Sequence, residues 1–308
     1  MLDITCVENQ PIELCFPHGI TLDIKREDKI HRFISGNKYR KLKYNLLEAQ
    51  RQNKKTLLTF GGAFSNHISA TAYAGQISGY KTIGIIRGDE LKDKIQENPT
   101  LSFAEKCGME LHFVSREDYR LKNTPYFINQ IYNQFGEDIY LVPEGGTNAW
   151  AVKGCQEIIT LEDAKYDVIA CAVGTGGTLS GIINASFPHQ TIIGFPALQG
   201  DFLHSEIEKY VSKTNWKLIY DYNFGRYAKV SDELVHFLND FYLKTKIPLD
   251  PIYTGKMIFA IFALINKGFF KANSKILAIH TGGLQGIAGL NQKREKQHRK
   301  TLIYDEEI

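Results

Sequence analysis

The residues Val173-Gly174-Thr175-Gly176-Gly177-Thr178-Leu179-Ser180-Gly181 follow the apolar run Val168–Val173 and open a helical pattern. The glycines at 174, 176 and 177 let several backbone N–H groups converge, and a helix N-terminus adds partial positive charge, so an anion such as a phosphate is favoured there. A tight strand–helix turn without a ligand has the same local signature. A dinucleotide site is the sharper competitor. Its spacing is imperfect, however, and the next strand ends Gly194-Phe195-Pro196 where a ribose-binding acid is expected. The lysine of a nucleoside-triphosphate loop is also missing. A monophosphate fits this turn better than NAD or ATP.

Two other segments carry candidate chemistry. In Gly61-Gly62-Ala63-Phe64-Ser65-Asn66-His67 a glycine turn leads into a helix. Ser65, Asn66 and His67 would there present side chains and N–H groups suited to a carboxylate; plain N-capping by Ser65 explains the pattern equally well. In Ser35-Gly36-Asn37-Lys38-Tyr39-Arg40-Lys41, Lys38 reads on chemistry alone as one solvated lysine of a basic stretch. A Schiff-base lysine needs a lowered pKa, which sequence does not display.

These segments need elements to position them. From Thr56 onward short apolar runs alternate with helical periods. The runs are Thr56–Phe60, Thr82–Ile86, Glu110–Val114 and Ile139–Val142, then Asp167–Val173, Thr191–Phe195 and Lys275–His280. The spacing predicts helices over Ser65–Ser78, Pro99–Cys107, Pro125–Phe135, Ala149–Leu161, Thr178–Ser186, Phe202–Val211, Ser231–Thr245 and Gly255–Lys267. Such alternation implies βαβ crossovers and parallel sheets covered on both faces. Near the N-terminus, Ile12–Phe16 and Thr21–Lys25 are expected to pair as a hairpin through Pro17-His18-Gly19. The fold expected is therefore α/β with two lobes. Residues 41–151 form the smaller lobe; 1–40 and 152–308 form the larger, ligand-binding one. Ligands of parallel sheets bind beyond the strands' carboxyl ends. Glycine-bearing turns fall there at Gly61-Gly62, Gly145-Gly146, Gly174–Gly177 and Gly282-Gly283.

Bulk composition narrows the class. The 308 residues are 43% hydrophobic, enough for a sizeable core, and the net charge of +3 gives no nucleic-acid footprint. The run Lys293-Arg294-Glu295-Lys296, with Arg299-Lys300, reads as a solvated helical face. Five scattered cysteines show no metal-ligand spacing, and with no signal-peptide pattern a reducing cytoplasm is expected. No apolar run is long enough for a bilayer, so no membrane partner is expected.

Six segments, Ser35–Arg40, Gly62 to His67, Pro143-Glu144-Gly145-Gly146-Thr147-Asn148, Gly174–Thr178, Asp250-Pro251-Ile252-Tyr253-Thr254-Gly255-Lys256 and His280-Thr281-Gly282-Gly283, resemble in order and spacing the 1-aminocyclopropane-1-carboxylate (ACC) deaminase / D-cysteine desulfhydrase family. The resemblance implies a two-lobed, tryptophan-synthase-β-like fold (fold type II) and pyridoxal 5'-phosphate as cofactor. It implies that Lys38 carries the cofactor as a Schiff base and moves protons, and that Asn66 bonds the cofactor's phenolic oxygen. Gly174, Thr175, Gly176, Gly177 and Thr178 would hold the phosphate. Ser65, Asn66 and His67 would receive the substrate carboxylate, with Ser65 also in proton transfer. Tyr253 and Tyr227 would sit over the substrate side chain. A small amino acid is the expected substrate and a second copy of the chain the expected partner.

Ring-opening deaminases of this family carry Glu after the active-site Tyr and Leu between the His and the glycine pair. Here Thr254 and Thr281 stand at those positions, as in D-cysteine desulfhydrases. A carboxylate beside a pyridine nitrogen favours its protonated form and strengthens an electron sink, whereas a hydroxyl does so much less. The two threonines therefore point to β-elimination of D-cysteine. The other readings are ACC deamination, a catalytically inactive cofactor-binding homologue, and a nucleotide-binding α/β protein.

Overall fold

The computed structural model describes residues 7–197, 200, 202–225 and 228–305. In chain order the elements begin with β1 (Asn9–Pro11), β2 (Thr21–Lys25), α1 (Asn37–Arg51), β3 (Thr56–Gly61), α2 (Asn66–Ser78) and β4 (Lys81–Arg87). They continue through α3 (Pro99–Lys106), β5 (Met109–Val114), α4 (Arg116–Arg120), α5 (Pro125–Phe135), β6 (Ile139–Val142) and α6 (Ala149–Gln156). Then follow β7 (Val168–Val173), α7 (Gly177–Ala185), β8 (Thr191–Pro196), α8 (Phe202–Glu208) and β9 (Trp216–Leu218). The last are α9 (Asp232–Thr245), α10 (Thr254–Asn266), β10 (Lys275–Ile279) and α11 (Gly286–Glu295).

Two sheets result: a six-stranded one ordered β1-β2-β10-β7-β8-β9 and a four-stranded one ordered β5-β4-β3-β6. Every pairing is parallel except β1 with β2. Strand β7 is buried at every position, as a central parallel strand covered on both faces must be. One face of the larger sheet packs Leu22, Ile24, Ala170 and Ile276 against α9 and α10. The other packs Ile169, Ile192 and Leu277 against α7. No helix among the described residues is long and apolar enough to cross a membrane.

The expected parallel α/β fold is present, with local differences. The hairpin's first arm is Asn9–Pro11, not Ile12–Phe16. The alternation of Ile12, Leu14 and Phe16 records burial against the core rather than ladder pairing. Pro11, which donates no hydrogen bond, sits where an edge strand tolerates it. Helix α6 stops at Gln156 because Thr160 and Asp163 form a capping box that starts a 3-10 turn. Likewise α8 ends at Glu208, before Val211. Arg294 is not on a solvated face: it is buried and donates to the carbonyls of Lys300 and Val230 and to Asp232. Helices α1 and α4 and strand β9 were not anticipated.

Helix α1 reaches the site by packing tightly on α6. A Cβ on Gly154 would stand 1.9 Å from the Arg40 carbonyl oxygen, and one on Gly181 would stand 2.7 Å from the Cys155 carbonyl carbon. Backbone meets backbone at both crossings. Gly154→Ala is therefore expected to destabilise the fold by about 1–3 kcal/mol, the range for an overpacked interior. The check is a urea titration, in which the midpoint should fall while the slope stays constant. An unchanged midpoint would show that α1 and α6 lie farther apart.

Candidate functional site

The six segments singled out in sequence meet beyond the carboxyl ends of β3, β6, β7 and β10. A Cβ on Gly36 (φ +60°) would collide with the Thr281 carbonyl oxygen at 2.0 Å, and the Asn37 N–H donates to that oxygen at 3.3 Å. Gly36 is therefore required for the start of α1 to lie on the 280–283 loop. The Tyr253 ring lies over Gly174, its Cε1 3.3 Å from where a Cβ would stand. Similarly, the Asn66 amide occupies the space a Cβ on Gly283 would need, with Nδ2 at 2.6 Å from that point.

Lys38, near the N-terminus of α1, donates to Asn37 Oδ1 at 2.9 Å. Burial, reinforced by the Lys41 ammonium, pushes its pKa from 10.5 down to about 7. Lys41, one turn further, is buried and donates to the Gly145 carbonyl at 2.8 Å and to Thr147 Oγ1 at 3.0 Å. Thr147 in turn shares a 2.6 Å hydrogen bond with Thr175. Among the described residues neither lysine has a carboxylate within ion-pair distance. The two lysines thus share one interior, where Asp250, beyond ion-pair distance, is the carboxylate that acts on Lys38. Behind them, burial pushes Cys155 up to about 11 and Cys171 up to about 12, which keeps both as thiols.

The N-terminus of α7 calls for an anion. Its N-cap is Gly176 (φ +87°, ψ −30°), no side chain caps it, and Gly177, Thr178, Leu179 and Ser180 are all buried. By contrast α2, α3, α5, α6 and α9 are each capped by a serine, threonine or asparagine side chain. Uncapped N–H groups in a buried helix start need an acceptor from outside the helix. A phosphate dianion supplies it and also balances Lys41. The glycine turn, the bare helix end and the two buried lysines therefore fit a phosphorylated cofactor bearing an aldehyde.

The remaining predicted residues divide. Ser65 Oγ accepts from the Ile68 N–H at 3.3 Å and so caps α2. Capping leaves its O–H free to donate to a carboxylate. His67 differs from expectation: its ring is buried, with Nε2 2.8 Å from Thr59 Oγ1, while Thr59 donates to the Val142 carbonyl. Thr59 has one proton and gives it to Val142, so it accepts from His67 Nε2–H. Burial and the two lysine charges hold the imidazole pKa well below its ordinary value. Its side chain therefore braces the start of α2 through Nε2, while its Nδ1, buried beside Gly146, has no hydrogen-bond partner among the described residues.

Thr254 also differs. It is fully buried and donates to Asp250 Oδ2 at 2.6 Å. Asp250 holds the turn that leads into α10, accepting in addition from the N–H groups of Ile252, Tyr253 and Thr254. The Thr254 hydroxyl proton is thus committed, and of the two threonines Thr281 keeps some exposed surface. Tyr227 lies outside the described residues. Sequence reasoning assigned no role to Lys41, Thr147, Asn37 or Asp250. All four stand inside the quoted segments, and the i, i+3 spacing of Lys38 and Lys41 would have placed them on one face had α1 been recognised.

A family model described as pyridoxal-phosphate dependent enzyme matches residues 13–282. A Pyrococcus horikoshii protein provisionally named 1-aminocyclopropane-1-carboxylate deaminase is 31% identical over 87% of this chain and 86% of its own. The Arabidopsis thaliana bifunctional D-cysteine desulfhydrase/1-aminocyclopropane-1-carboxylate deaminase, mitochondrial, is 30% identical over 88% of this chain and 74% of its own. A crystal structure described as an ACC deaminase homologue superposes with a TM-score of 0.82 at 27% identity, covering 95% of this chain and 94% of that one.

Proposed function

This chain belongs to the pyridoxal-phosphate-dependent enzyme family, and from that premise we propose that it is a lyase converting D-cysteine and water to pyruvate, ammonia and hydrogen sulfide. The observation that carries the reading is Lys38, a lysine whose pKa falls to about 7, held at the meeting point of all six segments. Near neutral pH a large fraction of such a lysine is a free amine, able to take a proton from carbon; an ordinary lysine is not. When bound, the cofactor supplies an electron sink for the charge left on the substrate's Cα.

The chain's own residues do the rest. The N–H groups opening α7, with Lys41 and the Thr147–Thr175 pair, anchor the phosphate. Asn66, packed on Gly283, is placed for the phenolic oxygen. The Ser65 hydroxyl and the N–H groups at the start of α2 orient the substrate carboxylate, which fixes the Cα–H bond relative to Lys38. Tyr253, above Gly174, covers the substrate side chain.

Threonine at 254 and 281 in place of Glu and Leu supports elimination over ring opening. The ACC deaminase reading has its own support, the name carried by the Pyrococcus horikoshii relative. Parallel assays separate the two. D-cysteine is expected to yield pyruvate and sulfide faster than ACC yields 2-oxobutanoate. Preference for the cyclopropane substrate would replace the desulfhydrase reading, and a yellow protein inert to a D- and L-amino-acid panel would overturn both.

A further inference from the structure

Asn37 lies between the reactive lysine and the anion-binding turn and touches both. Its Oδ1 accepts from Lys38 Nζ at 2.9 Å, and its Nδ2 donates to Thr178 Oγ1 at 2.8 Å. The amide cannot turn around while Lys38 is charged, because an ammonium has three donors and no acceptor. The backbone that carries it is fixed, since the Asn37 N–H is bonded to the Thr281 carbonyl and Gly36 is pressed on that same group. We infer that Asn37 is a positioning residue that aims the Thr178 hydroxyl at the cofactor's phosphate and couples that anchor to Lys38. The inference rests on the reading of Gly174–Thr178 as the phosphate turn.

The proton count gives the direction. Thr178 Oγ1 has one proton and two lone pairs, and Asn37 Nδ2 occupies a lone pair. The hydroxyl proton is thereby left to be donated, and within the protein its partner is the Cys155 sulfur, a far weaker acceptor than a phosphate oxygen. Thr178 is buried at the start of α7, beside the N–H groups that lack a capping side chain, so an anion held there is its natural acceptor. Without Asn37 the hydroxyl is free to rotate and to accept instead of donate. The lysine end works in parallel: the amide oxygen favours the charged form of Lys38 and opposes the burial that lowers its pKa.

The phosphate arm can be isolated by comparing pyridoxal phosphate with pyridoxal, which lacks the phosphate but keeps the aldehyde. Effects routed through Lys38 touch both, so the ratio of their dissociation constants reports the phosphate contacts alone. In Asn37→Ala the preference for the phosphorylated form should fall about tenfold, the scale of one hydrogen bond to a charged group. Thr178→Val should cause a similar fall, and the double variant should fall no further than Thr178→Val. Asn37→Asp keeps the acceptor for Lys38 but loses the donor to Thr178. Its preference should fall at least as far, and the pH at which Lys38 of the cofactor-free protein half-reacts with an acylating reagent should rise. An unchanged ratio in Asn37→Ala, or fully additive losses in the double variant, overturns the inference. If Thr178→Val itself leaves the ratio intact, the hydroxyl does not serve the phosphate and the inference fails; a parent protein with no preference for the phosphorylated form takes the underlying reading with it.

Discussion

Lys38→Ala is expected to leave a folded protein whose kcat/KM for D-cysteine is lower by about 10²–10⁴, the usual worth of a positioned general base. Borohydride treatment is expected to fix the cofactor to the Lys38 peptide in the parent and to fix none in the variant. The fold should survive because, among the described residues, the Lys38 side chain bonds only Asn37. Helix α1 is held by other groups: Arg40 donates twice to the buried Glu27, and Tyr39 and Leu42 pack on Ala70 and Ala74 of α2. The same site gives a pH signature. With its pKa lowered to about 7, Lys38 of the cofactor-free protein is protonated and unreactive below that pH. It becomes a free amine above it, some three units before an ordinary lysine. Acylation of Lys38, followed by peptide mass, should half-develop near pH 7 while surface lysines respond only at much higher pH. A midpoint near 10.5 would mean that Lys38 is solvated, and labelling of another lysine by borohydride would move the catalytic assignment.

How much of this was visible in sequence depends on what kind of burial each element makes. Strands β3, β4 and β7 bury long apolar runs, and their extents were read to within a residue or two. Helix α1 (NKYRKLKYNLLEAQR) was missed because much of what it buries is polar. Arg40, Lys41, Asn45 and Glu48 are all buried. Several of their partners, Glu27, Gly145 and Asn148, come from elsewhere in the chain. Its apolar period, Tyr39, Leu42, Leu46 and Ala49, is interleaved with charged residues that read as solvated but are themselves buried. The motif residues were legible as a set because order and spacing survive in a linear string. Their roles were less so. Ser65 turned out to cap α2 while keeping a free proton, His67 was drawn to Thr59, and Thr254 was drawn to Asp250. Each outcome was decided by which hydrogen-bond partner the fold brings into reach, which a string of residue types does not display even where, as with Asp250 and Thr254, both partners lie in one segment.

Gly176→Val should release the cofactor without unfolding the protein. Gly176 sits at φ +87° with its Cα facing Ile207, and a Cβ there would stand 3.1 Å from Ile207 Cγ1. A β-branched residue tolerates that backbone poorly, at a cost of about 1–3 kcal/mol. The segment can relieve the strain by rotating toward negative φ, which turns the N–H groups of 176–178 away from their point of convergence. Each hydrogen bond lost to a charged phosphate is worth about 1.5–3 kcal/mol. Losing two should raise the dissociation constant of pyridoxal phosphate by about 10²–10⁴. Retention after dialysis, read from the visible absorbance, measures this directly. Backbone strain and loss of the cradle must be told apart, and Gly108 serves as the comparison. It also has positive φ (+83°), but a Cβ there meets nothing within 4 Å, and it lies between α3 and β5, away from the turn. Gly108→Ala should therefore lower stability while leaving cofactor retention at the parent level. If Gly176→Val holds the cofactor as firmly as Gly108→Ala does, the N–H groups at the start of α7 are not what grips the phosphate.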